Sequence, residues 1–428
     1  MPRKWSIIYK RSVEIIIYIM VLAICIFHDA IYSPDTPSYI NANIFRSPGY
    51  PIFVRIIKVI SQDYFNFFIV LIQTSLGLFA VYTFSSIVQR TFRLNFLLRI
   101  FLILLLIFPF LAPLQVANNI SSEGLSYPLY LFFLSLSLNF LFLKKNTHFF
   151  YLIICSILLA LTRGQFLILP VVLAIVYFLK NKAIIFNRAY FIKFIILLVV
   201  PLGSILLDKS YHKIKDGLFI STPFTYINAT ASALYISTPE DANSFENKDT
   251  KIIFKDCYAF ISKNKWLLSS EDRINNVEDY EHFHKNLGKI CNLTLHERGT
   301  TYYLNQNKTI VEARYLVEKT AKNMFFTLVT NNFKEWIRLF YSNLIHGFKH
   351  HLVLFFILSI TILSAVYTFK SANKYVYILL FLSALILSNA LVVAFASHSI
   401  MRYLFYNYSL FFLILVSIFK FIKDVRKN

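Results

Sequence analysis

Two short stretches carry the residues best suited to chemistry: Asp35-Thr36-Pro37-Ser38-Tyr39 and, soon after, Arg46-Ser47-Pro48-Gly49-Tyr50-Pro51. Pro34 and Pro37 flank Asp35 and remove backbone freedom. A carboxylate on so rigid a loop can meet a reacting group at a fixed place. It would act as a general base or orient an acceptor hydroxyl. An Asx-type turn or a helix cap is the plainer alternative, and the residues leave both open. Glu123, in Ser121-Ser122-Glu123-Gly124-Leu125, is either a second acid facing the same cavity or a first-turn acid behind a capping Ser121 or Ser122. Arg46, Arg163 and Arg402 stand near helix ends. Arginine stays charged and grips phosphate with two parallel bonds, so these three are candidates for a phosphate clamp, against simple snorkelling to lipid head groups. His398, close to Arg402, is a further phosphate contact. Tyr39, Tyr50, Tyr127 and Tyr403 fall at the same level. They read as an interfacial aromatic belt or as sugar-stacking groups. His346, His350 and His351 have no carboxylate at ligand spacing, so no metal site is expected.

The elements that must hold these residues are apolar helices. Of 428 residues, 57% are hydrophobic, and apolar runs of about 18 or more residues recur, the length that spans a bilayer. Lipid offers the backbone no partners, so each run must be helical. Spans are expected near 13–30, 65–88, 97–113, 124–143, 149–162, 166–179, 190–207, 352–369, 375–396 and 403–421. Thr162-Arg163-Gly164-Gln165 forms a tight turn between the two short ones. Residues 51–60 carry Arg55 and Lys58 among apolar neighbours and read as a helix lying in the interface. The chain divides into an N-terminal transmembrane module (1–207, with the first outer loop at 29–64), an extracytoplasmic domain (208–348) and a C-terminal three-helix segment (349–428). The middle domain is expected to be mostly helical, with a short hairpin near 296–310.

The net charge of +21 does not indicate nucleic acid. Arg3, Lys4, Lys10, Arg11, Arg90, Arg93, Arg99, Lys144, Lys145, Lys180, Lys182, Arg188, Lys193, Lys370, Lys374, Lys420, Lys423, Arg426 and Lys427 gather at alternate helix ends. That bias places both termini in the cytoplasm. Outside the large loop the acids are Glu14, Asp29, Asp35, Asp63, Glu123 and Asp424. Glu14 and Asp424 fall on the cytoplasmic side, Asp29 and Asp63 read as solvated, and ionisable groups at a membrane mark functional candidates. Cys25 and Cys155 read as packing residues, whereas Cys257 and Cys291 could form a disulfide if their domain is extracytoplasmic. Asn228, Asn292 and Asn307 open N-x-S/T sequons. No internal repeat is evident.

The order of motifs resembles one superfamily. A first span is followed by D-[ST]-x-x-Y at Asp35 to Tyr39 and R-x-P-x-Y-P at Arg46 to Pro51. Then come S-E-G-L at Ser122 to Leu125, A-L-T-R ending at Arg163, and R-Y at Arg402-Tyr403. Over about residues 10–205 this is similar to the GT-C polyprenyl-phosphate-sugar-dependent glycosyltransferases. The nearest branch is the bacterial one related to protein mannosyltransferases and the lipid A aminoarabinose transferase. The last three spans match only in layout, and the insert matches no pattern. The resemblance implies an all-α polytopic bundle of about ten transmembrane helices in a bacterial inner membrane, with its active site facing outward. It implies Asp35 as the catalytic aspartate, Glu123 as the acid opening the fourth span, and Arg163 and Arg402 as donor-phosphate ligands. Thr36 stands where many relatives carry a second acid, which argues against protein mannosylation itself.

The activity so implied is transfer of a sugar from a polyprenyl-phosphate donor to a hydroxyl on a glycan, lipid or protein, with inversion and no cofactor or obligatory metal. An O-antigen polymerase or ligase would need no acid in a rigid first loop. A lipid-linked-sugar flippase would place its polar groups at the bilayer midplane, often in repeated halves.

Overall fold

Asparagines open several of the helices: Asn95, Asn187, Asn247 and Asn373 each accept a hydrogen bond of 2.9–3.1 Å from a first-turn amide. They satisfy donors that the helix itself leaves unpaired. Thr309 and Glu312 form a reciprocal capping box. The computed structural model describes residues 3–143, 147–270 and 276–426, with side chains from residue 11 onward except at 147, 270 and 276–279. The side chains of Arg3, Lys4 and Lys10, and all of Lys144, Lys145 and Lys427, lie outside the described residues.

The helices run in the order α1 (Arg3–Phe27), α2 (Thr36–Ile40), α3 (Gly49–Ser61), α4 (Phe65–Phe92), α5 (Phe96–Ile107), α6 (Glu123–Phe142), α7 (Thr147–Thr162), α8 (Leu169–Lys180) and α9 (Arg188–Asp216). The insert follows as α10 (Thr225–Tyr235), α11 (Lys248–Lys263), α12 (Asn276–Ile290), α13 (Thr300–Leu304), α14 (Ile310–Asn331) and α15 (Phe333–Phe348). The chain closes with α16 (His351–Tyr367), α17 (Lys374–Ala396), α18 (Met401–Leu404) and α19 (Tyr408–Val425). No strand occurs among the described residues.

This is an all-α protein built for a membrane. Among the described residues, five helical runs are long and apolar enough to cross one: Gly49–Phe92, Glu123–Phe142, Arg188–Asp216, Lys374–Ala396 and Met401–Val425. A sixth arises if α15 and α16, which meet at 88°, count as one broken span. The runs Phe96–Phe110, His148–Thr162 and Gly164–Lys180 are apolar but shorter. Large apolar side chains stay exposed along α9 and α16, with Leu202 at 60% and Leu363 at 66%; such a surface is suited to lipid rather than water. The stretch expected in the interface is α3. It is separated from α4 by a 3-10 turn at Gln62–Tyr64, where Gln62 takes φ 45°.

Two apolar cores form. One unites the N-terminal helices with α16, α17 and α19; the other lies within the insert, from Ile227 to Leu339. Helix α15 joins them, giving Leu339 to the insert core and Leu344 and Phe348 to the other.

Two expectations for the insert are corrected. Residues 296–310 form no hairpin. A wide π-helix, Cys291–Gly299, runs into α13. The β-prone Thr-Thr-Tyr-Tyr run is overridden by burial: Thr300 and Tyr303 face the core, and the Tyr303 hydroxyl bonds Thr320 at 2.7 Å. Cys257 and Cys291 are free thiols, both buried. The Cys291 sulfur turns toward the Ile227 carbonyl, at 3.9 Å, and each thiol serves as core packing.

Candidate functional site at the ends of α1, α6 and α19

A stitched pair of loops brings the two acids together. Asn118 donates from its side-chain amide to the carbonyls of Cys25 (2.8 Å) and His28 (2.9 Å), clamping the end of α1. The Ile31 amide donates to the Asn118 carbonyl at 2.8 Å, and the Ile120 amide returns a bond to Ile31 at 3.1 Å. Thr36 is fully buried and donates to the Ile120 carbonyl at 3.0 Å. A second carboxylate at that position would be buried against a carbonyl oxygen, which accounts for threonine there. Gln73 of α4 ties the same loop to α3. Its amide donates to the Ala117 carbonyl at 2.8 Å, and its oxygen accepts the Tyr50 hydroxyl at 2.9 Å.

Asp35 precedes α2 as its N-cap residue but makes no side-chain cap bond. Its carboxylate is spent on arginines: one oxygen accepts from Arg46 at 2.7 Å and the other from Arg402 at 3.2 Å. Burial pushes its pKa up, and the guanidiniums of Arg46 and Arg402 outweigh that effect, so Asp35 sits below the usual aspartate range. Arg46 is held further by Ser38 (2.7 Å) and by the Tyr39 hydroxyl (3.3 Å), with its guanidinium 4.4 Å above the Tyr39 ring.

Glu123 opens α6 and is nearly inaccessible, its side chain 3% exposed. Arg163 pairs with it at 2.6 Å, and Arg402 grips it with both Nε and Nη2, the latter at 3.2 Å. Ser122 makes no cap bond and instead accepts from Arg163 at 3.2 Å and from Tyr39 at 3.3 Å. Glu123 therefore aims two arginines. Asp35 and Arg402, with side chains 36% and 35% exposed, are the members open to a ligand.

These groups edge a cavity of about 360 Å³. Asp35, Tyr39, Arg46, Arg163, Arg402 and Tyr403 line its charged side. Leu167, Val392, Val393 and Ala396 give it an apolar wall, and Thr222, Phe224, Thr225 and Asn228 come from the insert. A smaller hollow of about 180 Å³ lies against Glu123 and Arg402, with Ser33, Asn119 and Ser121. A further hollow, about 490 Å³, lies in the insert and includes none of the acids and arginines named above; its Asp256 and Arg298 neutralise each other at 2.9 Å.

The structure thus gathers Asp35, Glu123, Arg46, Arg163, Arg402 and Tyr39 in one place. Tyr50 does not line the cavity: it is fully buried behind Tyr39 at a ring distance of 5.0 Å. Tyr127 is buried too, donating to the Leu106 carbonyl at 2.6 Å. His398 points away, its Nδ1 3.0 Å from that of His284 on α12, and burial pushes its pKa down to about 4. His346 stacks on Tyr280 at 4.0 Å, and the rings of His350 and His351 lie 4.1 Å apart.

The sequence did not single out Gln165, which accepts from Arg163 at 3.2 Å and donates to Asn389 at 3.1 Å, nor Gln73 and Asn118, which tie together the loops that carry the acids. The one local signal was polar amides inside or beside otherwise apolar spans. Compared with known proteins, the chain matches no family model, no curated protein and no solved structure.

Proposed function

We propose that the protein is a membrane glycosyltransferase of the GT-C type, transferring a sugar from a polyprenyl-phosphate donor to a hydroxyl of a glycan, lipid or protein. In this reading α1, α4, α5, α6, α7, α8, α9, α16, α17 and α19 each cross the membrane. Both termini are cytoplasmic, and the cavity opens on the outer face of a bacterial plasma membrane.

The observation that carries the proposal is the partly exposed Asp35 carboxylate held between Arg46 and Arg402 at a cavity with one apolar wall. Three guanidiniums against two carboxylates leave one surplus positive charge, matching the single negative charge of a sugar phosphodiester. The lipid chain would leave along Leu167, Val392, Val393 and Ala396. The phosphate competes with Asp35 for the same N–H groups of Arg46 and Arg402, so donor binding frees the Asp35 oxygens and restores their basicity. Asp35 then takes the acceptor's proton. The acceptor oxygen bonds the anomeric carbon from the side opposite the phosphate. The bond from that carbon to the phosphate oxygen breaks, its electron pair leaving on the lipid phosphate beside Arg46, Arg163 and Arg402. One displacement inverts the anomeric centre.

The test uses purified protein in lipid with a panel of polyprenyl-phosphate sugars and cell-envelope acceptors, measuring release of bare lipid phosphate. Release is expected, and Asp35→Asn should slow it by about 10²-fold or more. No release with any donor, or near-wild-type turnover in Asp35→Asn, overturns the proposal. The second outcome would favour a polymerase or ligase.

A further inference from the structure

The insert contributes a part of the cavity wall that is polar and aromatic but carries no charge. Thr222 is anchored to the outer end of α9: its amide donates to Asp208 at 2.7 Å and its hydroxyl to the same carboxylate at 2.8 Å. Just beyond, the half-buried Glu318 of α14 accepts from the amides of Tyr226 (2.8 Å) and Ile227 (3.0 Å), fixing the first turn of α10. Between these anchors the backbone has little freedom. Phe224, the N-cap residue of α10, and Asn228, in its first turn, both line the cavity.

Phe224 is set by its neighbours. Its ring lies 5.9 Å from Phe45 of the acid-bearing loop, and the His296 ring meets both edge-on, at 4.7 Å from Phe45 and 5.7 Å from Phe224. Arg46 and Arg314 stand over Phe45 at 5.3 and 5.4 Å. Thr222, Gln165, Arg46 and Arg163 all spend their side chains on protein partners, whereas the Asn228 amide, the one carboxamide of the lining besides Gln165, makes no side-chain hydrogen bond among the described residues. An amide offers donors and an acceptor side by side, the pair needed by two neighbouring hydroxyls. An aromatic face beside it suits the C–H face of a saturated ring.

We propose that Phe224 and Asn228 form a subsite for the hydroxylated ring of the donor, so that the insert reads the sugar while the arginines hold the phosphate. This rests on the glycosyltransferase reading and assigns the insert its role within it. Charge is confined to the phosphate end and neutral hydrogen bonding to the ring end. A ligand with an anionic head and a neutral polyhydroxylated group is the chemistry that satisfies both.

The experiment measures binding of two lipids to the full-length protein in nanodiscs: a polyprenyl-phosphate sugar and the same polyprenyl phosphate without sugar. The sugar-bearing lipid should bind more tightly than a lone phosphate contact allows. Asn228→Ala and Phe224→Ala should each remove about 10-fold or more of that advantage and leave the affinity for the bare phosphate unchanged. Arg402→Gln should instead weaken both lipids. An undiminished sugar advantage in both variants overturns the subsite while leaving the phosphate reading standing. Equal loss for both lipids in Asn228→Ala also overturns it, because Asn228 would then support the cavity rather than read the ring. Failure of the wild-type protein to bind either lipid overturns the underlying reading and the subsite together.

Discussion

Asp35 carries a tension between the role proposed for it and its surroundings. A base needs free lone pairs, yet both its oxygens accept from arginine in the resting protein. Because two cations hold its pKa below 3.8, Asp35 is ionised across the neutral range and contributes no acid limb there. Arg46→Gln removes the nearer cation, so the acid limb of kcat/KM should move to higher pH. A pH profile of lipid-phosphate release checks this, and an unmoved limb would detach Arg46 from Asp35. Glu123 plays the opposite part. Glu123→Gln leaves Arg163 and Arg402 without their buried counter-charge, which should cost about 3–5 kcal/mol of stability. The unfolding midpoint in detergent reads that loss. Bare lipid-phosphate affinity should fall with it, since Arg402 loses at least one of the two bonds that aim it.

Close approach of elements keeps the site in register. Gly49 opens α3 against the end of α7, where an added Cβ would stand 2.9 Å from the Thr162 amide nitrogen and 3.0 Å from the Leu161 carbonyl carbon. Backbone cannot yield as a side-chain tip can, so Gly49→Ala must push α3 off α7, next to Arg163. The expected outcome is destabilisation of about 1–3 kcal/mol with a loss of turnover, read by thermal unfolding and by lipid-phosphate release. A variant with wild-type stability and rate would show that α3 has room to shift. Gly124 has a related role. A Cβ there would meet the Gln73 side chain, which is already committed to Tyr50 and Ala117.

Across the whole molecule, the insert rests on the acid-bearing loop through Phe45, Phe224 and His296. Burial, helped by Arg314 and Arg46, pushes His296 down to about 3, and its Nδ1 is buried without a hydrogen-bond partner. The unfolded chain takes up a proton as pH falls below the ordinary 6.5, whereas the folded protein does not until near 3. This histidine therefore costs stability progressively from pH 6.5 downward. His398, held near 4, adds to the same trend. His296→Leu should flatten the fall in unfolding midpoint between about pH 6 and 4 relative to wild type. An unchanged slope would show that His296 is not held neutral in this contact.

The sequence by itself determined the material of the protein. Apolar runs with basic flanks specify helices for lipid, because an unpaired backbone has no partner there, and the scarcity of acids outside the insert singled out Asp35 and Glu123. Local pattern carries that much because hydrophobic periodicity and charge are properties of neighbouring residues. Only the tertiary structure decided which of the candidates meet. Arg402 reaches Asp35 across 367 positions and Glu123 across 279, while Tyr50 and His398, equally attractive by spacing, turn into packing. The hairpin expected at 296–310 failed for the same reason, since burial of Thr300 and Tyr303 outweighs their intrinsic preference. The uncharged wall of the cavity was beyond reach of the sequence because Phe224 and Asn228 gain their place only when Asp208 and Glu318 pin the chain from two distant helices.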